Sequence, residues 1–234
     1  MKRVIYLSTI IATALSIQIA YSNGEAKAAP AEVKPIEKVT TTNPGQTLEA
    51  SGSKEFKNAN FADLTVHGAV AFDHLEVGNK LLVDGALNGD YLKCSELNVN
   101  GAINADHIIV KNGEISGSFA GDDIKIEGNL TVSGSISSKN IMVGGKFIVD
   151  GLVDIENGDL SDVAMKAASM DFSASKIKSI LVHSIKGPDE QILTLSKNTV
   201  VTGDIEFESG KGQIIMTKGS SVKGHVKGAQ IVNK

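Results

Sequence analysis

Histidine and cysteine side chains could carry acid–base or nucleophilic chemistry near neutral pH. The sequence has five histidines and one cysteine among 234 residues. No catalytic motif surrounds the histidines, so we interpret each one as a solvated residue of a turn or an outer face. They are His67, His74, His107, His183 and His225.

Carboxylates could hold a metal ion, but their spacing does not favour a dedicated site. The aspartates are spread along turns, and the glycine-paired nonapeptide that binds calcium is absent. Adjacent Asp122 and Asp123 leave a weak calcium site open as an alternative to a solvated face. Cys94 has no partner for a disulfide and replaces an aliphatic residue, which predicts a buried, inert thiol. We therefore expect no catalytic, metal or cofactor-binding residues and no cofactor.

These residues lie on a repeat that dominates the chain. The pattern apolar-x-Val-x-Gly-x-apolar, as in Leu64 to Val70, recurs with glycine steps of 17, 16, 16, 17 and 17. Such regularity is typical of a solenoid. The glycines are Gly68, Gly85, Gly101, Gly117, Gly134 and Gly151, and weaker copies end at Gly187, Gly203 and Gly224.

Each repeat predicts two or three short strands. Apolar and polar residues alternate around each glycine motif and again between motifs, as at Leu75 and Val77, which is the pattern of a strand with one buried face. Strands this short must stack on the coil below, so we predict an all-β, single-stranded parallel β-helix of about ten coils of 16 to 17 residues over 59–234. Repeated glycines fit corners with positive φ. The least regular copy covers 155–180, where a bulge or protrusion is expected. One predicted interior column contains Leu64, Leu81, Leu97, Leu130 and Phe147, and a second contains Val66, Val83, Val99, Ile115, Val132, Val149, Val201 and Val222.

The N-terminal region has a different composition. Lys2 and Arg3 precede an uncharged apolar stretch to Ala20, and Ala26-Lys27-Ala28 offers a cleavage site, which predicts a signal peptide over 1–28. A cut after Ala20-Tyr21-Ser22 is the alternative. No cysteine near it would accept a lipid anchor. Residues 29–58 contain three of the four prolines and many polar residues, so we predict a flexible linker there. Export to the periplasm or the cell surface follows from this interpretation.

The glycine repeat resembles that of the bactofilins, bacterial proteins that form polymers. The similarity extends from about Phe61 to Val226 and rests on the recurring Val-x-Gly-x-aliphatic strings and on the length of one repeat. It implies a right-handed parallel β-helix that associates end to end without nucleotide. Bactofilins act in the cytoplasm, whereas this chain begins with an export signal, so we expect an exported variant.

Composition and repeat length narrow the functional classes. A net charge of -4 gives no reason to expect nucleic acid as a partner. Aliphatic steps of five and six residues depart from the strict hexapeptide of β-helical acyltransferases, and few aromatics remain for the sugar platforms of polysaccharide lyases. We therefore expect a non-enzymatic structural or scaffold protein of the envelope or surface, self-associating through its terminal coils. The alternative is an adhesin or receptor- or glycan-binding shaft that meets a host or envelope partner through its side faces.

Overall fold

The computed structural model describes residues 37–39, 44–187, 190–217 and 219–234. The predicted signal peptide, 1–28, lies outside the described residues. Within them there is no helix, and therefore none long and apolar enough to cross a membrane. The strands are β1 (Glu37–Val39), β2 (Thr47–Ser51), β3 (Lys54–Phe61), β4 (Asp63–Ile126), β5 (Leu130–Val143), β6 (Phe147–Glu156), β7 (Asp159–Lys166), β8 (Ser169–Ser173), β9 (Lys176–Val182), β10 (Gln191–Ser196), β11 (Val200–Val201), β12 (Ile205–Phe207), β13 (Gly212–Met216), β14 (Ser221–Val222), β15 (Val226–Lys227) and β16 (Ala229–Asn233).

All pairings between these strands are parallel, and they stack the chain into a β-solenoid of about 11 turns. Leu130 of β5 pairs with Phe147 of β6, and Gly134 pairs with Gly151, so one coil corresponds to one step of the glycine repeat there. β4 extends over 64 residues because the chain keeps its pairing while it bends around several corners. The parallel β-solenoid predicted from the repeat is confirmed.

One corner of the solenoid is a column of glycines. Gly68, Gly85, Gly101, Gly117, Gly134 and Gly151 have φ between +140° and +147°. A Cβ atom on any of them would lie 1.7 to 2.2 Å from the carbonyl oxygen of the glycine one coil below. The corner therefore requires glycine for two reasons, the backbone conformation and the close approach of the neighbouring coil.

A second corner uses left-handed residues that are not glycine. Asn58, His74, Tyr91, His107, Asp123, Asn140 and Asn157 have φ between +48° and +61°, and one of them occurs in each successive coil. Asn and Asp tolerate this conformation better than most residues, whereas Tyr91 is unusual in it. The corner holds the same position in each coil, so its side chains stack along the solenoid.

The core consists of columns of aliphatic and phenylalanine side chains, and it was predicted correctly over most of its length. Ile115, Val132 and Val149 stack on one another and are buried. Val201 and Val222 were assigned to this column wrongly: Val201 pairs with Ile177, and the pairings continue through Leu160 to Val143 in the neighbouring column. Val182 and Phe207 continue the predicted column instead. Gly203 does not belong to the glycine column, because it turns a different corner, above Lys178.

Strand pairing begins within the range predicted as a linker. β1 pairs with β3, and β2 pairs with β4, so the described part of 37–58 belongs to the solenoid. Leu48 and Ala50 point toward the core and Gly52 lies at the base of the glycine column. Residues 48–52, Leu-x-Ala-x-Gly, are a copy of the motif in which Ala replaces Val. The prolines nearby favoured the prediction of a linker there instead.

The coils near the C-terminus are longer than predicted. Ile177 pairs with Val201, and Val201 pairs with Val222, and in both pairs the partners are farther apart along the chain than the predicted repeat. The additional residues lie partly between β9 and β10, after Val182 rather than within 155–180. Ala164 lies in β7 and pairs with Ile148, so the chain runs as a regular strand within 155–180.

Candidate functional site

Three aromatic rings are stacked on the outer surface of the left-handed corner. The ring of Tyr91 lies between those of His74 and His107, with centroid distances of 4.4 and 4.5 Å and interplanar angles of 15° and 12°. The rings lie this close because the corner repeats once per coil at the spacing of parallel strands. We call these three residues the histidine-tyrosine corner. Tyr91 is 44% exposed, so the corner is open to solvent.

Aspartates surround the two imidazoles of this corner. Nδ1 of His74 lies 2.6 Å from Oδ1 of Asp73, and Nδ1 of His107 lies 2.7 Å from Oδ1 of Asp90 on the coil below. Nε2 of His107 is 3.6 Å from Oδ2 of Asp123 on the coil above. The hydrogen bond with Asp90, aided by the charges of Asp90, Asp123 and Asp106, raises the pKa of His107. His107 can therefore bind a proton and link three coils.

The other three histidines make separate contacts with carboxylates on adjacent coils. Nδ1 of His67 lies 2.8 Å from Asp84, Nδ1 of His183 lies 3.0 Å from Glu208, and Nδ1 of His225 lies 3.5 Å from Asp204. The expectation that all five histidines are on outer faces is correct, but their pairing was not anticipated. Tyr91 was missed altogether. Its position, one repeat after His74 and one repeat before His107, could have revealed the stack.

The aspartates at 122 and 123 are engaged in bonds between coils. Oδ1 of Asp122 accepts the backbone N–H of Lys139, and Oδ1 of Asp123 accepts a hydrogen bond from the side chain of Asn140. In the described part of the chain, no group of three or more His, Cys, Asp or Glu residues could hold a metal ion. The two carboxylates serve as cross-coil hydrogen-bond acceptors in this structure.

Cys94 is a free, buried thiol, as predicted. Desolvation, with a smaller contribution from the charge of Glu96, raises its pKa to about 12. It lines a surface pocket of about 380 Å³ together with Glu76, Lys93 and Ile109, among others. A thiol with this pKa is a poor nucleophile at neutral pH.

The last coil, residues 219–234, has an edge without a strand partner among the described residues. β14, β15 and β16 pair with β11, β12 and β13 respectively, and each has that one partner. Val222 and Val226 continue the core columns but are only half-buried, and Ile231 is exposed. This coil therefore offers both free backbone groups and apolar side chains.

The first coil, of which 37–39 and 44–52 are described, has the corresponding arrangement. β1 pairs with β3 alone and β2 with β4 alone within the described residues. Val39, Leu48 and Ala50 are half-buried and pack against the core from one side. Both ends of the described solenoid thus present an incomplete core.

The fold and these surfaces define the chain as a parallel β-solenoid repeat protein. Comparison with protein-family models, with curated proteins and with solved structures finds no match in any of the three.

Proposed function

We infer that this protein is an exported structural scaffold of the cell envelope or surface, and that its copies associate end to end through the terminal coils. The observation that carries the inference is the half-buried state of the apolar side chains on both terminal coils. Solenoids that stay single usually cover such ends with a polar capping repeat. Unpaired strand edges are also templates for pairing with another chain.

The side of the solenoid is consistent with a scaffold. Its outer positions are hydrogen-bonded from coil to coil, as Asn129 is to Asn112 below and to Lys146 above. Such series of hydrogen bonds stiffen the solenoid, since neighbouring coils then interact through their outer polar residues as well as through the apolar core. The resemblance to bactofilins and the N-terminal export signal supply the remaining parts of this proposal, which are polymer formation and location.

The proposal is tested by sedimentation velocity of the full chain over a hundredfold concentration series. Self-association requires the weight-average sedimentation coefficient to rise with concentration. A constant monomer would contradict it. Export is tested separately by expressing the chain in a host with a periplasm and sequencing the N-terminus of the exported product, for which we expect a start at Ala29.

A second candidate function, a glycan- or receptor-binding shaft, is favoured by the histidine-tyrosine corner. Tyr91 presents an exposed aromatic edge, and aromatic residues are common at binding surfaces. A glycan array read with the wild type, with Tyr91→Ala, and with Leu152→Ala as the control would test it. Loss of a signal in Tyr91→Ala alone supports the shaft, and the absence of any wild-type signal counts against it.

A further inference from the structure

We propose that two copies of this chain pair side by side in antiparallel orientation, with Ile148 of each copy packed against Ala164 of the other. The proposal rests on the end-to-end association inferred above and adds a lateral contact between the resulting filaments.

The surface is an apolar stripe on the outer side of the solenoid, formed by Thr131, Ile148, Ala164 and Leu181. These four residues stack on one another through the register of β5, β6, β7 and β9. Their neighbours along the strands, such as Val149, are buried in the core, so the four side chains point outward. Ile148 is 39% exposed and is the most prominent of them. We call these residues the outer stripe.

Acidic residues mark both ends of the outer stripe. Glu114 pairs with Thr131 at one end, and Glu206 pairs with Leu181 at the other. The stripe therefore extends over four coils, or about 19 Å at the spacing of parallel strands. Its midpoint lies between Ile148 and Ala164.

The two residues at the midpoint have complementary shapes. Ile148 is large and exposed, whereas Ala164 is small and half-buried. A two-fold rotation about an axis that runs along the strands, between these two residues, places each Ile148 over the Ala164 of the other copy. The parallel arrangement would place Ile148 against Ile148 and leave a gap between facing alanines, which close packing disfavours. Shape therefore favours the antiparallel pair.

Charged residues on the two sides of the stripe match under the same rotation. On one side, Lys146 lies next to Asp162 in the register of β6 and β7; on the other, Asp150 pairs with Lys166. The rotation brings Lys146 opposite Asp162 of the other copy, and Asp150 opposite Lys166. Four contacts between opposite charges then surround the apolar centre. Such peripheral pairs set the orientation of an interface more than its affinity.

The ends of the stripe are compatible with this arrangement. The rotation places Glu114 near Glu206 of the other copy, and two carboxylates alone would repel each other. Nζ of Lys227 already contacts Oε1 of Glu206, so this positive charge offsets the second carboxylate.

The area of the contact determines its strength. A stripe of about 19 Å and five residues of strand, at about 3.3 Å each, cover roughly 300 Å² on each copy. Stable interfaces bury at least about 1,000 Å² in total, so two free molecules would separate readily. Every unit of an end-to-end filament carries one stripe, and several weak contacts between two filaments act together. We therefore expect lateral pairing of filaments rather than of single molecules.

The first test is electron microscopy of the wild type and of Ile148→Lys under conditions in which filaments form. We expect wild-type filaments to be two solenoids wide and Ile148→Lys filaments to be one solenoid wide, with the same axial repeat. Lysine here removes an apolar contact twice in each pair and places a charge over Ala164. The protein concentration at which half of the filaments are paired should rise at least tenfold.

Met142→Lys is the matched control. Met142 lies on the same coil and is 45% exposed, but it points outward from a neighbouring column, beside Lys125 and Asp159. It should leave the width of the filaments unchanged.

The second test addresses orientation with Asp150→Lys, Lys166→Glu and the double variant. Each single substitution places like charges across the antiparallel pair, so we expect the half-pairing concentration to rise about threefold to tenfold. The double variant restores opposite charges and should return to within about twofold of the wild type. In the parallel arrangement Asp150 would face Lys146 instead, and the double variant would pair more weakly than either single one. Thermal unfolding checks the folding of every variant.

The outcomes separate this inference from the proposed function. Wild-type filaments that stay one solenoid wide, or paired filaments that Ile148→Lys does not separate, would overturn lateral pairing alone. A double variant weaker than both single variants would overturn the antiparallel orientation. A wild type that never forms filaments would overturn the proposed function together with this inference.

Discussion

Replacing Gly117 by alanine should show how tightly the coils of this solenoid are packed. Gly117 has φ +140°, and a Cβ atom there would lie 1.8 Å from the carbonyl oxygen of Gly101. The two coils would have to separate locally by more than about 1 Å to reach an ordinary contact. That movement would weaken the hydrogen bonds of the ladder at this corner.

The cost of this substitution has two parts. Holding alanine in an unfavourable backbone region costs roughly 1 to 3 kcal/mol. Losing about two ladder hydrogen bonds adds roughly 0.5 to 1.5 kcal/mol each. We therefore expect a loss of about 2 to 6 kcal/mol in the free energy of unfolding, which corresponds to roughly 5 to 20 °C in Tm for a domain of this size.

Gly52→Ala is the control, because Gly52 begins the same column. Its φ is also positive, at +79°, but nothing lies within 4 Å of its Cβ position. It should lose about 1 kcal/mol, from the backbone conformation alone. Urea unfolding followed by circular dichroism measures both variants. Equal losses in Gly117→Ala and Gly52→Ala would refute the role assigned to close packing between coils.

Three further predictions concern titratable and core side chains. Cys94 should react with a thiol reagent at pH 8 only after unfolding, because burial raises its pKa to about 12; rapid labelling of the native protein would contradict this. The pKa of His107 is raised in the folded state, so its stabilising contribution is fully present below its unfolded pKa, about 6.5, and is lost as the pH rises through the folded pKa. The stability difference between wild type and His107→Gln should accordingly shrink between pH 6 and pH 8, as measured by urea titration at each pH, whereas a difference independent of pH would rule this out. Phe172→Ala should cost about 3 to 5 kcal/mol of unfolding free energy, since Phe172 is fully buried between Ile155 and Leu195; a loss below about 1 kcal/mol would count against a packed core at β8.

The repeated part of the fold could be predicted because one local pattern carries several constraints at once. Each of the six glycines in the column from Gly68 to Gly151 marks a corner, and the apolar residues before and after it mark buried positions, so the spacing also gives the register. The column assignment was wrong where a glycine lies at a different corner of the coil. Gly203 and Gly224 turn another corner, and counting from them displaced Val201 and Val222 by one column.

The start of the solenoid and the aromatic stack were not predicted, for different physical reasons. Around Gly52 the motif is weakened by Ala50 and by nearby proline and polar residues, although pairing with the second coil still holds the strand. His74, Tyr91 and His107 belong to a corner, and composition alone does not indicate which corner residues face one another. Only their spacing of one repeat, 17 and then 16 residues, indicates that their rings lie on successive coils.

Electron microscopy of the full chain across a concentration series tests the proposed end-to-end association most directly. About 11 turns, each rising about 4.8 Å, give a unit on the order of 50 Å. We expect filaments with an axial repeat of that order, which become longer as the concentration increases. Separate particles of constant size at every concentration would contradict the account.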